Sequence, residues 1–135
     1  MSNHPPIFQQ VTWIYTKDLD GTAAFYTDVL GLQQVFDQGL CRIMRMADNS
    51  FLGVCFARPG RHVEPNGVVI TMVSEEKSGV DAWYDKFQTA GASTEGAPEA
   101  KEDFNVYCFF AKDPNGYLIE FQCFLDPAWA AATKQ

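Results

Sequence analysis

The apolar residues of this chain come in short runs, divided by polar stretches rich in glycine and proline, and the spacing inside each run names its element. Residues 7–16 alternate, with Val11, Trp13 and Tyr15 on one side and Gln10, Thr12, Ile14 and Thr16 on the other. That period of two is a strand. Ala24, Phe25, Val29 and Leu30 then recur at helical spacing, with Asp18 or Asp20 placed to cap the first turn and Gly31 to end the helix in a left-handed conformation. Strands are expected over residues 32–36, 41–46 and 51–57, the last two joined by a turn at 47–50. Residues 58–67 form a polar connector punctuated by Pro59, Gly60, Pro65 and Gly67.

After the connector the pattern begins again. Residues 68–73 read as a strand. Val80, Trp83, Tyr84 and Phe87 make the apolar stripe of a helix over 78–90, closed by Gly91. A strand near 93–95 and a polar stretch to 103 follow. Strands over 107–111 and 117–124 are joined through Asp113-Pro114-Asn115-Gly116. In that turn proline presets φ, while Asn115 and Gly116 tolerate its positive values. Asp126-Pro127 opens a short helix in the tail.

The order strand, helix, three strands therefore occurs twice, with Gly31 and Gly91 about 60 residues apart. The chain is expected to be one α+β domain over 1–135. Its tandem βαβββ repeats, about 7–58 and 66–125 with a tail at 126–135, would form a curved mixed sheet around a cleft, with the helices outside.

The last long strand poses a chemical question. Tyr117, Ile119, Phe121 and Cys123 suit a helix-packed face, which puts Leu118, Glu120, Gln122 and Phe124 on the other. A carboxylate there is costly to bury without a partner. Either the face is solvated or Glu120 looks into a cavity.

Composition narrows the partners. A net charge of -7 disfavours nucleic acid and anionic membrane surfaces, and no apolar run approaches the ~18 residues a bilayer span requires. The N-terminal residues lack the basic and apolar regions of a signal peptide. Cys41, Cys55, Cys108 and Cys123 have no metal-site or redox spacing, so reduced thiols in a cytoplasmic protein are expected.

From Val11 to Phe124 the chain resembles the vicinal oxygen chelate superfamily, which includes glyoxalase I, extradiol dioxygenases, fosfomycin-inactivating enzymes and bleomycin-binding resistance proteins. The residues that carry the likeness are Lys17-Asp18-Leu19, the run Phe25-Tyr26-Thr27-Asp28-Val29-Leu30-Gly31-Leu32, and Asp113-Pro114-Asn115-Gly116-Tyr117-Leu118-Ile119-Glu120. The resemblance implies a homodimer and, in the enzymes, a divalent metal held by four strands. Glu120 matches one ligand position. The others fall on Val11, on Val68 and in the run 51–57, which holds no His, Asp, Glu or Gln. The Arg of the family's glutathione-dependent lyases is here Tyr15.

The expectation is therefore a protein without a metal or other cofactor that binds an aromatic or cationic small molecule. Val11, Trp13, Tyr15, Val68, Ile70, Met72 and Glu120 would line its apolar cleft. The alternative is a lyase, isomerase or dioxygenase-like enzyme, using either Glu120 as general base or a divalent metal at Glu120.

Overall fold

The computed structural model describes residues 3–134. Met1, Ser2 and Gln135, the ends of the expected domain and tail helix, lie outside the described residues. Two compact units meet at Glu64/Pro65, within the polar connector.

In the first unit, β1 (Gln10–Thr16) leads to α1 (Leu19–Ala24), which widens into a π-helical turn, Phe25–Val29. Asp18 caps the start, accepting a hydrogen bond from the Gly21 amide at 3.0 Å. The strands β2 (Gln33–Asp37), β3 (Cys41–Ala47) and β4 (Ser50–Phe56) follow. Their order in the sheet is β1-β4-β3-β2, with β1 parallel to β4 and the rest antiparallel. Ile14 and Thr16 are buried on one face of β1, where Thr16 Oγ1 lies 2.8 Å from Thr22 Oγ1 of the helix. Val11, Trp13 and Tyr15 take the opposite face, as the alternation predicts.

The second unit repeats the arrangement. It runs β5 (Val69–Val73), α2 (Lys77–Ala90), β6 (Glu99–Lys101), β7 (Val106–Lys112) and β8 (Leu118–Phe124), then α3 (Pro127–Thr133). The order β5-β8-β7-β6 pairs β5 with β8 in parallel. Gly91 ends α2 at φ 69°, as a left-handed cap should. The core between α2 and the sheet is aromatic. Phe121 stacks on Trp83 at 4.6 Å and on Phe109 at 5.2 Å, and Phe87 meets it edge-on at 5.3 Å. The turn before β8 is held by Asp113, whose buried carboxylate accepts from the amides of Asn115 (2.8 Å) and Tyr117 (3.0 Å).

Three expectations are corrected. Residues 93–95 do not form a strand. Thr94 makes a lone bridge to Ala111, and the third strand of this unit lies at Glu99–Lys101. Cys41 and Cys55 form a disulfide, because the β3–β4 register sets residues 14 apart in sequence directly opposite each other. Cys108 and Cys123 are free and buried.

The third correction concerns β5. Residues paired across adjacent strands share a face, and Thr71 is paired with Glu120 and Ile70 with Ile119. Ile70 and Met72 therefore lie on the helix side, and Ile70 is 6% exposed. Val69, Thr71 and Val73 share the face of Glu120 instead. Val68 stands before the strand, its amide donating to the Pro65 carbonyl at 3.3 Å.

Candidate ligand pockets

Each unit carries a pocket on the sheet face turned away from its helix. In the second unit the pairings Thr71↔Glu120, Cys108↔Gln122 and Phe110↔Glu120 bring one face of three strands together. The result is an open pocket of about 680 Å³, within the range of small-molecule sites. Its walls are largely apolar, with Val69, Val106, Phe110 and Phe124 below and Phe104 and Lys101 at the rim. Phe104 is 77% exposed, an unusual position for a phenyl ring with nothing to cover. Trp129 of α3 stacks on Phe124 at 4.0 Å.

Glu120 is the one carboxylate among the described residues that line this pocket. Thr71 Oγ1 donates to its Oε1 at 2.9 Å, which fixes the acid against the pocket wall. Lys101, the nearby cation, is already engaged by Glu99, and that pairing raises the lysine pKa and lowers the glutamate's. The Cys108 thiol also belongs to the pocket. Burial, helped by the negative charge of Glu120, pushes it up to about 11, so it stays protonated and poorly nucleophilic at neutral pH.

In the first unit the register Val11↔Phe51, Trp13↔Gly53 and Tyr15↔Cys55 builds the equivalent face. Trp13 is 39% exposed. Its six-membered ring lies on the backbone of Gly53, in the space that any Cβ there would occupy. A pocket of about 410 Å³ opens beside Trp13 and Tyr15, with Arg58 and Arg61 at its edge.

Of the residues expected to line a ligand site, Glu120 lies in the second unit's pocket, and Trp13 and Tyr15 lie in the first unit's. Val11 shares their face. Ile70 and Met72 do not join Glu120, because β5 presents the other parity. Sequence reasoning missed Thr71 and Cys108 around Glu120, left Phe109 and Phe110 as alternatives that the register decides for Phe110, and missed Arg58 and Arg61. The Arg-Pro-Gly-Arg order, two arginines bracketing a two-residue turn, was the available signal for the last pair.

The divalent metal of the superfamily's enzymes does not fit these side chains. At the matching positions only Glu120 supplies a hard oxygen donor. Its neighbours on the same face are a hydroxyl (Thr71), an amide (Gln122) and a protonated thiol (Cys108). Among the described residues no three or more His, Cys, Asp and Glu side chains gather as a metal site would require.

Comparison with known proteins agrees with the architecture. The family profile described as the Glyoxalase/Bleomycin resistance protein/Dioxygenase superfamily matches residues 7–121. No curated protein sequence matches the chain. Among solved structures, a lactoylglutathione lyase from Agrobacterium tumefaciens is similar at a TM-score of 0.71 and 24% identity, over 87% of this chain and 94% of that one. A glyoxalase/bleomycin resistance protein/dioxygenase from Nocardioides reaches 0.76 at 19% identity, over 93% and 88%. One from Alicyclobacillus acidocaldarius reaches 0.74 at 18% identity, over 89% and 93%. Likeness at these identities is one of fold, which hosts many activities. No described helix is long and apolar enough to cross a membrane. The repeated strand–helix–strand order and the profile match over most of its length establish that this chain belongs to the glyoxalase/bleomycin resistance protein/dioxygenase superfamily.

Proposed function

We propose that this protein binds a small aromatic cation in the second unit's pocket, without a metal, and holds it by Glu120. The observation that carries the reading is a single carboxylate, fixed by Thr71, in a pocket walled by Val69, Val106, Phe110 and Phe124. Apolar walls supply area for a ring, and the acid supplies a charged anchor for an ammonium or amidinium group. The partly solvated anchor is worth about 1–2 kcal/mol, or roughly 5- to 30-fold in affinity. The reading takes the protein as a cytoplasmic homodimer, in keeping with the oligomers of the superfamily. Disulfides are rare in that compartment, so the Cys41–Cys55 bond is the feature of the chain that stands against it.

The test is a titration followed by tryptophan fluorescence, in which Trp129, stacked on the pocket residue Phe124, reports occupancy. 1-Naphthylmethylammonium should bind more tightly than the uncharged 1-naphthylmethanol, and a chelator should change neither affinity. Equal affinities would remove Glu120 as the anchor.

The same hydrogen bond favours one further reading. Held in the pocket by Thr71, the Glu120 carboxylate would serve as a general base, taking a proton from an acidic C–H or O–H of a bound compound. In that case Glu120→Gln abolishes turnover of the substrate while leaving its binding within about twofold.

A further inference from the structure

The first unit's pocket has the opposite charge character. The turn Arg58-Pro59-Gly60-Arg61 is closed by two reciprocal backbone bonds. The Arg58 amide donates to the Arg61 carbonyl at 2.9 Å, and the Arg61 amide returns the bond at 2.8 Å. Gly60 makes this possible at φ 83°. The turn pairs Arg58 with Arg61 across its backbone, and both side chains line the pocket that holds Trp13 and Tyr15. No carboxylate is among the described residues lining it.

Three other cations among the described residues are paired with carboxylates, while Arg45 donates to the Asp48 carbonyl and Lys77 lies over the Tyr107 ring. Arg42 meets Asp20, Lys101 meets Glu99 and Lys112 meets Glu95. Among the described residues neither Arg58 nor Arg61 reaches a carboxylate. Their side-chain bonds go to neutral acceptors: Arg58 Nη1 to Cys55 Sγ (3.6 Å) and to the Phe56 carbonyl (3.5 Å), and Arg61 Nη1 to the Gly60 carbonyl (2.8 Å). On a chain of net charge -7, two uncompensated guanidiniums beside an indole shelf are a local reversal of sign.

We propose that this pocket binds a planar aromatic carboxylate, with its ring stacked on Trp13 and its carboxylate on the guanidiniums of Arg58 and Arg61. The indole is preset for stacking because Gly53 beneath it has no side chain. Guanidinium forks match a carboxylate with paired hydrogen bonds. Its lining shares no residue with the Glu120 pocket, and its ligand carries the opposite charge.

The probe is 2-naphthoate, compared with the uncharged 2-naphthylmethanol by isothermal titration on the full chain. The acid should bind about tenfold or more tightly than the alcohol, and salt raised from about 50 to about 500 mM should weaken the acid alone. Arg58→Gln combined with Arg61→Gln should abolish the preference for the acid. The same variant should leave the alcohol's affinity and the melting temperature unchanged, which shows the fold intact. Glu120→Gln should leave 2-naphthoate binding unaltered, so this site stands or falls independently of the other. Absence of naphthoate binding, equal affinity for acid and alcohol, or an acid affinity indifferent to the arginine pair would each overturn the proposal.

Discussion

Gly53→Ala offers a prediction whose sign depends on one neighbour. Gly53 sits within β4 opposite Trp13, and it is not among the glycines with positive φ, so its backbone suits alanine. On backbone grounds alone alanine should stabilise by about 0.5–1 kcal/mol, through the smaller entropy of the unfolded chain. The new methyl, however, would fall inside the Trp13 ring. The indole must move. A tryptophan buries roughly 150–250 Å² when fully covered. With Trp13 39% exposed, roughly 90–150 Å² of that remains covered. Losing half of it costs about 1–2 kcal/mol at ~25 cal/mol per Å². The clash wins, and Gly53→Ala should destabilise by about 0.5–1 kcal/mol net. In a Trp13→Ala background the obstacle is gone, so the same change should stabilise by about 0.5–1 kcal/mol. Urea unfolding of the four proteins of the cycle measures the coupling, expected at about 1–2 kcal/mol. Equal effects of Gly53→Ala in both backgrounds would refute the packing of indole on glycine, and with it the preset shelf.

Other outcomes follow from the second unit. Phe121 is fully buried among Trp83, Phe87 and Phe109, so Phe121→Ala should cost about 3–5 kcal/mol in denaturant unfolding, a large share of a small domain's stability. Asp113→Ala strips two backbone amides of their acceptor and should cost about 1–3 kcal/mol, while Asp113→Asn, which keeps one acceptor oxygen, should cost less; thermal melts compare them. Cys108 should resist iodoacetamide at pH 8 in the native protein and react once it is unfolded. Because folding raises its pKa from 9.0 to about 11, its contribution to stability is fully present below pH 9 and is lost as pH rises through about 11. The stability difference between wild type and Cys108→Ala, measured across that range, should shrink with rising pH.

Legibility in the sequence followed contrast. β8 was readable because Ile119, Phe121 and Cys123 alternate with Glu120 and Gln122, and only one parity can face a helix. β1 was readable for the same reason. In β5 both parities are apolar enough to be buried, since Val69 and Val73 compete with Ile70 and Met72. Its facing is set by the parallel register with β8, a contact across about 50 residues that local periodicity does not encode. Cys41 and Cys55 likewise owe their meeting to the hairpin register rather than to any motif. The strand at Glu99–Lys101 consists of charged and small residues, paired along β7. Nothing apolar in it marked a strand. Glu120 was identified as chemistry out of place in a sheet. Thr71 and Cys108 were not, because only pairing with β8 brings them to it.

The central claim is that Glu120 anchors a cationic aromatic guest. Calorimetric titration of 1-naphthylmethylammonium and 1-naphthylmethanol into wild type and Glu120→Gln tests it most directly. The account predicts that the substitution weakens the cation about tenfold and leaves the alcohol unchanged. An equal loss for both compounds, or none for either, would contradict it.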